Sequence, residues 1–68
     1  MEPTLKMNQV RSNDKNSLCY RITVTQGAEI ITSDDLLLEY LKGTPPYKKG
    51  ITDVSRVSAN LWEIKSNK

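Results

Sequence analysis

The chain has 68 residues, 26% of them charged, with a formal net charge of +2, one cysteine and no histidine. That length allows one domain, and a domain so small buries only about 60% of the surface its unfolded chain exposes. An intramolecular disulfide is excluded, and so is any imidazole-based catalytic or metal-binding arrangement. Stability must come from apolar packing or from a partner chain.

Residues 1–17 mix Asn, Ser, Asp, Lys and Gln with few apolar side chains. Such a stretch buries too little to offset its ordering entropy, so it is expected to be a flexible arm. The alternation of Leu5 and Met7 is its one strand-like feature. No apolar h-region follows Met1, which argues against a secretory signal. No apolar run approaches eighteen residues, and no membrane partner is expected. With Cys19 as the single thiol, these features predict a soluble protein of a reducing, cytoplasmic compartment.

From Leu18 the pattern turns to period two. Leu18, Tyr20, Ile22 and Val24 face one way, and Cys19, Arg21, Thr23 and Thr25 the other. Gln26 and Gly27 then read as a tight turn, and residues 28–32 as a second strand with Ile30 inward. Thr32, Ser33 and Asp34 are N-cap types, and Asp34 and Asp35 suit the positive end of a helix dipole. The helix is expected over residues 34–42. Leu37, Leu38 and Leu41 form its apolar stripe, Leu36 and Tyr40 its shoulder, and Gly43 its stop.

Residues 42–50 then read Lys-Gly-Thr-Pro-Pro-Tyr-Lys-Lys-Gly. The two prolines predict an irregular, stiff, exposed loop holding Tyr47 beside Lys48 and Lys49. It fits neither proline-recognition pattern. Pro-Pro-x-Tyr would need one more residue before the tyrosine, and Pro-x-x-Pro is absent. The plainer reading is a solvated connection with Tyr47 folded onto the helix end.

Residues 51–65 admit two readings. Ile51, Val54, Val57 and Leu61 have helical spacing, whereas β-branched content and a turn at Ala59 and Asn60 favour a hairpin. The hairpin, preferred here, would set Arg56 opposite Glu63 and Val57 opposite Trp62. The resulting fold class is α+β, a single domain over residues 18–65 in ββαββ order. One short helix packs on an antiparallel sheet, and a disordered tail covers 66–68.

The chemistry present is sparse. The three glycines are too scattered for a phosphate loop, and Asp34 and Asp35 diverge by about 100° on a helix. Cys19 should be a buried structural thiol, the alternative being a thiol activated by Arg21. Trp62 should be the core anchor, the alternative being a stacking platform. No catalytic residue, cofactor or metal is expected.

Charge is segregated. Residues 18–41 carry Arg21 against Glu29, Asp34, Asp35 and Glu39, while 42–68 carry six cations against Asp53 and Glu63. Two functions from different classes follow. The first is a non-catalytic protein-interaction module, an inhibitor or regulator of a larger partner. It would bind through Tyr47, Lys48, Lys49, Lys42 and Arg56. In scale it is like the small accessory proteins of phages and mobile elements. The alternative is nucleic-acid binding by the basic C-terminal third, with Tyr47 or Trp62 stacking on a base. A homodimer is compatible with either, through Ile31, Leu36 and Leu61 or through a sheet edge.

Overall fold

The computed structural model describes residues 2–68. Four strands, β1 (Thr4–Val10), β2 (Ser17–Gln26), β3 (Ile51–Ser58) and β4 (Leu61–Asn67), form one antiparallel sheet in the order β1-β2-β4-β3. Helices α1 (Asp34–Leu41) and α2 (Pro45–Lys49) connect the two hairpins. The α+β class and the ββαββ order are those expected, but the first strand is a different one.

β2 alternates as its sequence demands, with Ile22 and Val24 buried and Arg21 exposed between them. Its partner, however, is β1, in a register that sets Met7 opposite Ile22 and Leu5 opposite Val24. The stretch read as a flexible arm therefore supplies the edge of the sheet. Leu5 and Met7 pack against the core, and Lys6 and Asn8 stay exposed on the other face. The connection is ordered by Asp14, whose carboxylate accepts from the Asn16 amide at 2.9 Å and from the Ser17 hydroxyl at 3.0 Å. Those two hydrogen bonds, the Asn16 one foremost, hold the Asp14 carboxyl below its ordinary pKa.

Residues 28–32 do not form the expected strand. Gly27, at φ 76°, turns the chain out of the sheet, and Ala28–Ile30 make a single 3₁₀ turn. Both flanks of β2 are already occupied, by β1 and by β4, so no edge remains for a local hairpin partner. Ile31, not Ile30, is the inward residue and is completely buried.

α1 starts at Ser33, whose Oγ accepts from the Leu36 amide at 3.3 Å. Leu37 and Leu41 enter the core, Leu38 packs partly against it, and Leu36 and Tyr40 remain outside. The segment expected to be irregular is instead one turn of helix. Pro45 and Pro46 occupy its first two positions, where no N–H would have an intrahelical partner, so the prolines start α2 rather than break it. Thr44 precedes them, and its hydroxyl donates to the Leu41 carbonyl at the end of α1.

β3 and β4 form the preferred hairpin, turning at Ala59 and Asn60, but its register is not the one expected. Val57 is an extra residue in β3, so Arg56 lies opposite Trp62 and Ser55 opposite Glu63. Glu63 pairs instead across β2, with Arg21 at 3.4 Å. Residues 66 and 67, assigned to a disordered tail, belong to β4. Ser66 is fully buried, and the Asn67 amide donates to the Gly50 carbonyl at 2.9 Å.

The core gathers Ile22, Val24, Ile31, Leu37, Leu41, Trp62 and Ile64 between one face of the sheet and the helices. Trp62 is its anchor, 1% exposed. On the opposite face Lys6, Asn8, Arg21 and Lys65 are exposed.

Candidate functional site

Helices α1 and α2 follow one another through residues 42–44 and form a corner, where Tyr47 bears electrostatically on Lys42. Four large apolar or aromatic side chains are exposed among the described residues, and three of them, Leu36, Tyr40 and Tyr47, lie on these two helices. Leu36 and Tyr40 are four residues apart, hence neighbours on one side of α1. Tyr47 stands on α2, beside the buried Pro46 that seats this turn.

α2 is fixed to the sheet by its far end. Gly50, at φ 102°, closes the turn through its N–H to the Pro46 and Tyr47 carbonyls. A Cβ there would lie 2.8 Å from Asn67 Nδ2, which donates to the Lys49 carbonyl at 3.1 Å. Only glycine combines that φ with that close approach. The position of Tyr47, Lys48 and Lys49 is thus set by the last strand as well as by the prolines.

The cations of this corner are in different states. Lys42 is tied to Glu39 at 3.1 Å, and that hydrogen bond and charge raise its ammonium pKa above the usual value, Tyr47 adding to the effect. Lys48 and Lys49 are exposed and make no ion pair among the described residues. Of the expected site residues, Tyr47 lies near Lys42, and Lys48 and Lys49 follow Tyr47 on the same short helix. Arg56 is remote from them. It lies five residues along β3 from Ile51, about 16 Å away at the usual strand rise. Its guanidinium covers the Trp62 ring at 4.9 Å and donates to the Ser58 carbonyl at 3.2 Å and the Ala59 carbonyl at 2.8 Å. That is a structural role, closing the hairpin turn and roofing the tryptophan.

Leu36 and Tyr40, which the sequence placed on a helix shoulder, are the exposed large apolar residues of α1, and their four-residue spacing is the signal that pairs them.

The open face of the sheet holds a shallow groove of about 210 Å³ along one cross-strand row, Val10, Cys19, Lys65 and Asp53. Cys19 is half-buried there with no helix above it, and Arg21 is engaged by Glu63 rather than directed at the thiol. The six cations of the C-terminal third do not converge. Strand alternation sends Arg56 and Lys65 to opposite faces, and Lys68 donates to the Lys15 carbonyl at the β1–β2 connection. Trp62, buried, offers no face for stacking.

No helix among the described residues is long and apolar enough to cross a membrane. Comparison with known family models, with curated proteins and with solved structures finds no match.

Proposed function

We propose that this chain is a non-catalytic protein-interaction module that docks on a larger partner through the α1–α2 corner and regulates or inhibits it. The observation that carries this reading is that three exposed large side chains, Leu36, Tyr40 and Tyr47, and two unpaired lysines fall on two successive helices, the second seated by the buried Pro46. Tyrosine is enriched among the residues that dominate binding energy at protein interfaces, and lysine belongs to their polar rim. The two lysines favour an acidic rim on the partner, which steers association and fixes register.

The test is affinity capture with the intact chain and with the triple variant Tyr47→Ala, Lys48→Ala, Lys49→Ala, all three positions being exposed and removable without opening the core. Capture of one protein by the native chain and its loss with the variant, at equal thermal stability, is the expected result. Equal capture by both removes the corner from the reading. A companion salt titration against random DNA and RNA separates the nucleic-acid alternative. Binding that falls steeply with salt would favour that alternative, and weak, flat binding is expected.

A further inference from the structure

We infer that β1 is the contact through which two copies of this chain join, each extending the other's sheet across a two-fold axis. The sheet has two free edges, β1 and β3. They differ in regularity. β3 is irregular near both ends, between Ile51 and Asp53 and between Arg56 and Ser58, and bulges of this kind discourage edge pairing. β1 runs in unbroken register from Leu5 to Val10, with its only irregularity at Thr4. The helices approach β3 and β4 most closely.

The sequence of β1 is self-complementary in one register. An antiparallel pair related by a two-fold axis at Met7 sets Thr4 opposite Val10, Leu5 opposite Gln9 and Lys6 opposite Asn8. This register alone pairs all seven residues of the strand. It keeps the faces consistent, because Leu5, Met7 and Gln9 lie on the core side and Lys6, Asn8 and Val10 on the open side. Lys6 is the only charged residue of β1, and this register places it against a neutral amide rather than against its own copy. Sliding to a two-fold at Lys6 would oppose the two ammonium groups and shorten the ladder. The half-buried Met7 side chains would meet at the axis and complete each other's cover.

The occupant of this edge is therefore a second copy of the chain, and the surface is distinct from the α1–α2 corner. Sedimentation equilibrium over a concentration series, under reducing conditions to silence Cys19, measures it. Two exposed-face variants set the direction. Asn8→Lys brings two like-charge pairs to the interface, and Asn8→Asp brings two opposite-charge pairs. The expected dimer dissociation constant rises roughly fivefold for the first and falls by a similar factor for the second. Unchanged circular dichroism in both confirms that the fold is not what moved. A constant monomer mass at every concentration overturns the inference. A dimer whose affinity ignores both variants also overturns it, because the contact then lies elsewhere.

Discussion

Gly27 decides where β2 ends. At φ 76° it sits in the left-handed region, and a Cβ on it would come within 2.9 Å of the Pro3 backbone and 3.2 Å of the Pro3 ring. Both costs act together, since the backbone of Pro3 cannot retreat as a flexible side chain would. Gly27→Ala is expected to destabilise the domain by about 1–3 kcal/mol, read as a lower urea midpoint with unchanged slope. A midpoint equal to that of the native chain would mean that Gly27 neither holds a left-handed φ nor lies against Pro3. Arg56 shows the same lesson in a side chain. Read as a binding cation, it is occupied by the Trp62 ring and two turn carbonyls, partners that only the folded hairpin supplies.

Elements with a strong local signal were legible in the sequence, and elements defined by a distant partner were not. β2 and α1 carry their own periodicity and caps, so their bounds follow from the residues themselves. β1 has only Leu5 and Met7 as inward apolar residues of note, because an edge strand buries little, and its polar composition resembles that of a loop. Its pairing with β2 cannot be inferred locally. α2 was hidden for another reason: proline breaks a helix in its interior but begins one at its first positions. Of the candidate site, Tyr47, Lys48, Lys49 and Lys42 came from adjacency in sequence, whereas the contribution of α1 depends on packing. The bulge in β3 gives an element-scale prediction. Removing Val57, which is half exposed and opposite no residue of β4, should leave β3 regular from Asp53 to the turn and the domain folded. Removing Glu63 from β4 instead shifts a strand that is paired on both sides, turning Ile64 to the open face and Lys65 toward the core. A cooperative urea transition in the first deletion and none in the second is the expected pair of results. Equal loss in both would place the extra residue elsewhere.

At the scale of the molecule, the constraint is how little core there is. Among the described residues, seven buried core side chains and Pro46 hold a 68-residue chain that has one cysteine and no histidine. Domains of this length typically have about 3–10 kcal/mol of stability. Truncating one fully buried leucine costs about 2–5 kcal/mol, a large part of that range. Leu37→Ala should therefore leave a substantial unfolded fraction at 37 °C, because its side chain is completely buried against the sheet. Leu36, the preceding residue on the same helix, is 38% exposed and points to the solvent side. Leu36→Ala removes the same atoms from a site already in contact with water, so its expected cost is under about 1 kcal/mol. Trp62 reports both, being the only tryptophan and lying in the core, so that unfolding exposes it to water and shifts its emission to the red. The two variants differ by one position and by no chemistry, which makes their difference a direct measure of how α1 is rotated on the sheet. If Leu36→Ala were as costly as Leu37→Ala, α1 would be turned about its axis. Tyr40 would then face inward with Leu36, and the α1–α2 corner would lose its exposed apolar surface.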